Sequence, residues 1–280
     1  MKTIETISEI KEAVKKLKSK NKQIGFVPTM GALHEGHLSL VRRSVSENDI
    51  TVVSIFVNPT QFAPEEDLDR YPRTLKEDQA MLLQEKVDML FYPQQNEIYT
   101  GDADTWVEIP SLGSILCGKS RPGHFKGVLT VVLKLFNIVS PDNAYFGKKD
   151  FQQYFLIKKM AQELSLDVNI VPCELIRDSD GIALSSRNKY LTEEERKSAL
   201  LLSQALFTVR DLHHTGERSC AKLTQEMKKA LLLEKKVKID YIHIMDKRIL
   251  SAQDTACEHS IALAAVFIGD VRLIDNIEFD

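Results

Sequence analysis

The stretch KQIGFVPTMGALHEGH, residues 22–37, decides the fold class of this chain. Its first part, Lys22–Pro28, is an apolar run that predicts a β-strand, and Leu38–Ser46 beyond it predicts the core of a helix. Gly31 and Gly36 lie between the two and allow the backbone to approach a ligand closely. A strand that ends in such a turn and continues into a helix is the first step of an alternating α/β fold.

The same alternation continues through the first half of the chain. The run Ile50–Val57 is almost entirely apolar, which is typical of a parallel strand covered on both faces. Val128–Val139 is so densely apolar that we expect a buried segment. We therefore predict a doubly wound parallel sheet. Its further strands are expected at Val87–Tyr92, Asn143–Phe146 and Val168–Pro172, with helices at Leu75–Glu85 and Phe151–Leu164.

The pattern changes after Arg187. Thr192, followed by three glutamates, predicts the N-cap of a long helix that runs to about His213. A second helix is expected at Ala221–Leu233, after a break at Gly216. Three strands without intervening helices follow and indicate a smaller α+β module with an antiparallel sheet. These strands are Ile239–Met245, Ile261–Phe267 and Val271–Asp275, so we predict two domains, residues 1–176 and residues 177–280.

The composition excludes several function classes. The 280 residues carry a formal net charge of −3, which argues against a nucleic-acid partner. The longest apolar run, Ile261–Ile268, is too short to span a bilayer, and the first twenty residues predict an amphipathic helix rather than a signal peptide. The four cysteines are isolated, so each is expected to be a small buried apolar side chain in a reducing compartment. We expect a cytoplasmic protein that does not contact a membrane.

His34 and His37 are the first candidate functional residues. They are three positions apart at a predicted helix start, so their side chains share one face. Free N–H groups at a helix start favour phosphate, and two imidazoles there can neutralise charge on a leaving group. A capped helix with two surface histidines is one alternative, and a metal site is another, although a third ligand is lacking. We interpret the pair as a nucleotide phosphate site.

Two further segments carry groups that suit a small polar substrate. FVNPTQF, residues 56–62, places Asn58 and Gln61 after the second strand, and amides both donate to and accept from a hydroxy acid or an amide. A proline-containing turn is the structural alternative. KSRPGHFK, residues 119–126, offers Arg121, which either pairs with a substrate carboxylate or phosphate or caps a helix dipole.

GKKDFQQ, residues 147–153, follows another predicted strand. Gly147 permits close approach of a ligand, and Lys148 or Lys149 is long enough to reach a phosphate. Asp150 is expected to begin the next helix. The alternative interpretation is a pair of solvated lysines.

LSSRN, residues 184–188, lies at the expected domain boundary. Two hydroxyl groups beside a guanidinium can bind phosphate oxygens and stabilise a pentacoordinate transition state, and a polar linker is the alternative. With the histidine pair upstream, the segment indicates a mobile loop that closes over ATP. Glu77 and Asp78 are candidates for positioning a magnesium ion. The alternative is that they only lie on a solvent-exposed helix face.

Taken together, PTMGALHEGH, FVNPTQF, YPRT, RPGHFKGV, FGKKDFQQ, LSSRN and RLIDN closely resemble the pantothenate synthetase (pantoate–β-alanine ligase) family of the HxGH nucleotidyltransferase superfamily. The resemblance runs from about residue 24 to residue 277 and implies a Rossmann-like domain followed by a C-terminal lid domain. It implies that pantoate attacks ATP, with Mg²⁺, to form pantoyl adenylate and pyrophosphate. β-Alanine then displaces AMP to give pantothenate. A homodimer is also implied.

The resemblance also implies roles for particular residues. His34 would bind the phosphates and His37 would be the proton donor. Lys149, Ser185 and Arg187 would be the other catalytic groups. The implied substrate-binding residues are Gln61 and Gln153, and Asn58 and Arg121 are added as candidates from their residue types. The implied ATP-binding residues are Met30, Gly31, Ala32, Leu33, His34, Glu35, Gly36, His37, Gly147, Lys148, Lys149, Asp150, Ile176, Leu184, Ser185, Ser186 and Arg187.

Lys148 departs from the family pattern, because many relatives carry an acid before the lysine of this segment. Two other functions compete with the ligase. Another nucleotidyltransferase would retain the nucleotide in its product, whereas an amine acceptor releases AMP. A noncatalytic RNA-binding relative of a tRNA synthetase is disfavoured by the net charge of −3 and by the lack of a basic stripe.

Overall fold

The computed structural model describes residues 1–279, which form two compact units. The first consists of Met1–Lys148 and Gln153–Glu174, and the second of Lys149–Gln152 and the chain from Leu175 onward. The four residues Lys149–Gln152, which the sequence analysis assigned to the first domain, therefore pack with the second unit.

The first unit is a six-stranded parallel sheet with helices, in the strand order β1-β4-β3-β2-β5-β6. The order reverses between β2 and β5, and ligands of open α/β sheets bind outside the strand ends at such a switch point. The elements are β1 Lys2–Ile4, α1 Ile7–Lys18, β2 Ile24–Thr29, α2 Glu35–Glu47, β3 Ile50–Ile55, α3 Leu75–Gln84, β4 Met89–Phe91, α4 Gln95–Ile98, α5 Pro110–Gly113, α6 Cys117–Ser120, α7 His124–Val139, β5 Asn143–Gly147, α8 Phe151–Glu163 and β6 Asn169–Cys173. The predicted fold class is confirmed.

Burial explains why the central strands are so apolar. From Thr51 to Ile55 every residue of β3 is buried, as expected for a strand covered on both faces. The dense apolar run that was expected to be buried is most of α7, and twelve of its residues, among them Leu129 and Phe136, are buried. Its polar stripe is narrow, since Lys126, Lys134 and Asn137 are among the few residues of the helix that are not buried, so the helix belongs largely to the interior.

Strand β1 was not predicted. The N-terminal segment was expected to be helical throughout, but Lys2–Ile4 pairs in parallel with β4 at the sheet edge. The helix begins only at Ile7, after Thr6, whose side chain accepts a hydrogen bond from the Glu9 backbone N–H. Three residues are too short to show a periodic pattern, so the strand is decided by its pairing partner.

The second unit contains a four-stranded antiparallel sheet in the order β10-β9-β7-β8, with two long helices. Thr192 and Glu195 form the predicted capping box at the start of the first helix. Apolar side chains of both helices and of β9, including Leu206, Leu223 and Ala264, form its core. The elements are α9 Glu193–His214, α10 Cys220–Leu232, β7 Val237–Asp246, β8 Ser251–Ala252, β9 Ser260–Ile268 and β10 Val271–Glu278.

The cysteines are all free thiols, but one differs from expectation. Cys117, Cys173 and Cys220 are buried as predicted, whereas Cys257 is exposed. Its backbone N–H donates to the Ser260 hydroxyl just before β9, at a turn that leaves the thiol outside the core. Among the described residues, no helix is long and apolar enough to cross a membrane.

His213 makes the stability of the second unit sensitive to acid. Its imidazole is 6% exposed and stacks on Phe279 at a centroid distance of 4.9 Å. Burial, reinforced by the Arg218 guanidinium, lowers the pKa of His213 below its ordinary value of 6.5. The folded state therefore disfavours the proton, so the contribution to stability is complete above about pH 6.5 and is lost as the pH falls below it.

We expect the melting temperature of the protein to fall on acidification from pH 7.5 to pH 5.5 by less in His213→Phe than in the unmodified protein. Thermal unfolding at a series of pH values measures this difference. The exposed neighbour His214 provides a control, since it lowers the His213 pKa less than burial and Arg218 do, and His214→Gln is expected to keep most of the pH dependence. Equal acid sensitivity of the His213→Phe variant and the unmodified protein would contradict the assignment.

Candidate active site

The turn after β2 has a backbone conformation that other parts of the unit must support. Gly31 and Ala32 both have positive φ, at 81° and 50°, and the latter value is uncommon for a residue with a side chain. The carboxylate of Asp78 accepts the Ala32 N–H at 3.0 Å and the Leu33 N–H at 2.8 Å. A methyl group at Gly31 would come within 3.0 Å of the same carboxylate. Asp78 therefore holds the turn that precedes the histidine pair.

This finding revises the expectation that Asp78 and Glu77 place a magnesium ion. Asp78 is 1% exposed and both of its oxygens accept backbone N–H groups, while Glu77 is exposed on the helix surface. Burial raises the pKa of Asp78, against the lowering effect of those hydrogen bonds. Across residues 1–279 no group of three or more His, Cys, Asp or Glu side chains is placed to hold a metal ion.

Asp78→Ala is expected to lower the free energy of unfolding by about 3 kcal/mol, because it leaves two buried N–H groups unsatisfied. Glu77→Ala, one position away, is expected to change it by less than about 0.5 kcal/mol, as for most surface substitutions. Urea unfolding of both variants measures the difference. Similar losses in the two variants would show that the turn does not depend on the Asp78 carboxylate.

His34 and His37 lie together at the start of α2, as the spacing predicted. Their ring centroids are 4.1 Å apart. His34 is the N-cap residue, and its Nδ1 accepts the Gly36 N–H at 3.1 Å. Because a backbone N–H only donates, Nδ1 is the unprotonated nitrogen and the neutral ring carries its proton on Nε2. His34 can therefore donate through Nε2 to an anion at this helix start.

Glu35 is placed differently from the rest of this segment. It is exposed, and its carboxylate pairs with Arg42, which also pairs with Glu85. The carboxylate has the same sign of charge as a phosphate. The Glu35 side chain is therefore a surface ion-pair partner, and contact of this residue with ATP stays a prediction that concerns its backbone.

Gln61 lies in a short 3₁₀ turn, Pro59–Gln61, after β3. Its amide nitrogen is 3.1 Å from the sulfur of Met30, so the structure brings these two predicted site residues together. Asn58 is 1% exposed and donates to Gln61 Oε1 at 3.1 Å and to the Gly127 carbonyl at 3.2 Å. The Asn58 oxygen accepts from Thr60 and Tyr99. Asn58 thus supports Gln61, and its direct contact with a substrate stays a prediction.

Gly127 is a site residue that the sequence analysis missed. A methyl group on it would lie 2.3 Å from the Thr60 carbonyl oxygen and 2.7 Å from the Gln61 nitrogen. Only glycine allows α7 to pack this closely against the turn that carries Gln61. An isolated glycine within a helical pattern was the available signal, because such glycines often mark close packing.

Arg121 is the C-cap residue of α6 and pairs with a carboxylate of the protein itself. Its guanidinium pairs with both oxygens of Glu66, donates to His124 Nε2 at 3.0 Å and lies 3.4 Å from the Gln61 carbonyl oxygen. His124 donates from Nδ1 to the same carbonyl at 2.8 Å. Arg121 therefore belongs to a network that fixes the Gln61 backbone, with its charge already balanced by Glu66.

The segment after β5 separates the two lysines. Gly147 ends β5 beside β2, and a methyl group there would meet only Leu40, at 4.0 Å. Lys148 Nζ lies 2.8 Å from Glu174 Oε1, so its charge is paired rather than simply solvated. Gln153 is half-buried in α8. The sequence left the role of Lys148 undecided, and this ion pair supplies one.

In the second unit, the C-terminal strand anchors Lys149. Asn276 Nδ2 donates to the Lys149 carbonyl at 2.9 Å, and the neighbouring Asp275 pairs with Arg177 through both oxygens, at 2.6 and 3.0 Å. The Lys149 ammonium is 3.8 Å from the Asp150 carboxylate. The RLIDN segment, which had no assigned role, thus holds the backbone of a predicted catalytic residue.

The segment containing the serine pair is folded as a small hairpin and a turn. Leu184 N–H donates to the Ile176 carbonyl at 3.0 Å, which brings together two predicted ATP-binding residues eight positions apart. Ser185 caps a 3₁₀ turn, Ser186–Tyr190, and its hydroxyl accepts the Arg187 N–H at 3.3 Å. Ser186 is buried, whereas the other two are half-buried. Ser185 and Arg187 are therefore the two polar residues of this segment that are partly accessible to solvent.

Comparisons with known proteins find relatives that match almost the whole chain. The family model described as Pantoate-beta-alanine ligase matches residues 2–278. A pantothenate synthetase of Caldicellulosiruptor saccharolyticus is 55% identical over 97% of this chain and 96% of its own. The structure of pantothenate synthetase from Thermus thermophilus superposes with a TM-score of 0.95 at 40% identity, covering 100% and 99% of the two chains. A Francisella tularensis pantoate–β-alanine ligase, solved with "Beta-gamma ATP" and β-alanine, has a TM-score of 0.82 at 38% identity, covering 100% and 98%.

Proposed function

Because the chain belongs to the pantoate–β-alanine ligase family, we propose that this ligase joins pantoate to β-alanine at the expense of ATP, through a pantoyl-adenylate intermediate. The observation that carries the proposal is the family match over residues 2–278. The Francisella tularensis relative, solved with an ATP compound and β-alanine, supports the choice of nucleotide and amine. The products are then pantothenate, AMP and pyrophosphate.

In the first step, a carboxylate oxygen of pantoate forms a bond to the α-phosphorus while the bond to pyrophosphate breaks. We propose that His34 donates through Nε2 to the phosphates and that His37 supplies a proton or charge to the leaving group. Gln61 and Gln153 bind pantoate. The turn residues Met30, Gly31, Ala32 and Leu33, with Gly36, contribute backbone contacts to ATP.

In the second step, the β-alanine nitrogen attacks the acyl carbon, AMP leaves and the amine loses a proton. We propose that Lys149, Ser185 and Arg187 hold the phosphates through these steps, and that the loop carrying the last two excludes water from the anhydride. Gly147, Asp150, Ile176, Leu184 and Ser186 complete the proposed nucleotide contacts.

The described residues do not fit a resident magnesium site, since Asp78 is committed to the backbone. We therefore propose that Mg²⁺ enters with the phosphates of ATP. The residue roles proposed above do not require a magnesium ion bound by the protein. A homodimer is proposed as the assembly, which sedimentation analysis tests.

The proposal is tested by pyrophosphate release from ATP with Mg²⁺ and pantoate, first without and then with β-alanine. We expect release limited to about one equivalent per site, which becomes continuous, with AMP formation, when β-alanine is added. Absence of pantoate-dependent release from folded protein would overturn the named reaction. Release in which the nucleotide stays in the product would favour another nucleotidyltransferase.

A further inference from the structure

Tyr99 is connected to Gln61 by hydrogen bonds although it lies outside every motif of the sequence. It follows α4 as its C-cap residue and is half-buried. Its hydroxyl is 2.9 Å from Asn58 Oδ1, and the amide nitrogen of Asn58 is 3.1 Å from Gln61 Oε1. The donor in each of these hydrogen bonds is fixed by a group farther along the chain of contacts.

The Gly127 carbonyl decides that direction, because a carbonyl oxygen only accepts. The Asn58 side-chain atom that faces it at 3.2 Å must therefore be the NH₂ group. The other amide atom, Oδ1, then faces Tyr99 and Thr60, each at 2.9 Å, and both hydroxyls donate to it. Burial also raises the pKa of Tyr99, so its hydroxyl keeps the proton that it donates.

The orientation of Gln61 follows from that of Asn58. The second N–H of the Asn58 amide donates to Gln61 Oε1, so this oxygen is committed. The other end of the Gln61 amide is its NH₂ group, which contacts only a weak acceptor in this hydrogen-bond chain, the sulfur of Met30. Gln61 thus presents donors, and pantoate offers carboxylate and hydroxyl oxygens that accept.

Building on the proposed function, we propose that Tyr99 is a positioning residue that acts through Asn58 to keep the Gln61 amide oriented with its NH₂ group toward an oxygen of pantoate. Two donors hold the Asn58 oxygen, and removal of one loosens the orientation of both amides. A misoriented Gln61 would present an oxygen to a carboxylate, which repels it. The effect is therefore specific to pantoate and does not extend to ATP.

Tyr99→Phe is expected to raise the KM for pantoate about tenfold, in line with the loss of one well-placed hydrogen bond and the misorientation that follows. The KM for ATP and the melting temperature should change little. Tyr145→Phe is the matched control, because Tyr145 is a fully buried tyrosine of the same unit whose hydroxyl bonds instead to Glu47 and Asn48. The kinetics are measured by pyrophosphate release, and the pantoate Kd by titration calorimetry.

A double-mutant cycle with Gln61→Ala separates positioning from general damage. If Tyr99 acts through Gln61, then adding Tyr99→Phe to Gln61→Ala should change the pantoate Kd by less than about twofold. The same tenfold loss in both backgrounds, or an unchanged KM in Tyr99→Phe alone, would overturn the inference while leaving the proposed function intact. Lack of any pantoate-dependent release by the unmodified protein would overturn both.

Discussion

Replacing Lys149 with alanine is expected to lower kcat/KM for pantoate-dependent pyrophosphate release by about 10³-fold, the scale seen when a preorganised charge or donor is removed from a transition state. The adjacent Lys148 supplies a matched control with the same side chain. Its ammonium pairs with Glu174, so Lys148→Ala is expected to change kcat/KM by less than about threefold, as for a surface ion pair.

The two lysines differ in what holds them. The Lys149 backbone is anchored by Asn276, next to the ion pair between half-buried Arg177 and buried Asp275, and this anchor restricts where the Lys149 side chain can reach. Steady-state pyrophosphate assays on both variants, with melting temperatures as a check on folding, decide the assignment. Comparable losses in the two variants would mean that the segment acts through its total charge, and a larger loss in Lys148→Ala would reverse the assignment.

Arg187→Ala is expected to lower kcat for pyrophosphate release by about 10³-fold, because a guanidinium that stabilises charge in phosphoryl transfer contributes on this scale. Its effect on folding should be small, since the arginine is half-buried in a short 3₁₀ turn and its backbone N–H bonds to Ser185 whatever its side chain.

Lys189 is the control for Arg187, because it is an exposed cation on the same turn. Lys189→Ala is expected to keep kcat within about twofold of the unmodified protein, as expected for a screened surface charge. Single-turnover pyrophosphate release and urea unfolding, carried out on both variants, separate catalysis from stability. If Arg187→Ala lost stability in proportion to its loss of rate, the proposed role of this loop as a catalytic lid would be wrong.

Much of the fold was predictable because its signals are local. The apolar run of β3, the capping box of Thr192 and the position of the histidine pair at a helix start are each written within a few neighbouring residues. Strand β1 was missed because three residues carry no periodicity, and its conformation depends on pairing with β4. The exposure of Cys257 likewise depends on a turn that composition does not reveal.

The sequence by itself determined the fold class and the segments that carry the chemistry. It did not distinguish the polar side chains that are bound to distant protein groups from the other polar side chains, because both kinds follow strand ends. Only the tertiary structure made that distinction. Asn58 meets Gly127 from 69 positions away and Arg121 meets Glu66 from 55, and a buried polar group bound to such a partner is already satisfied. Those partners are chosen by packing, which no local pattern records.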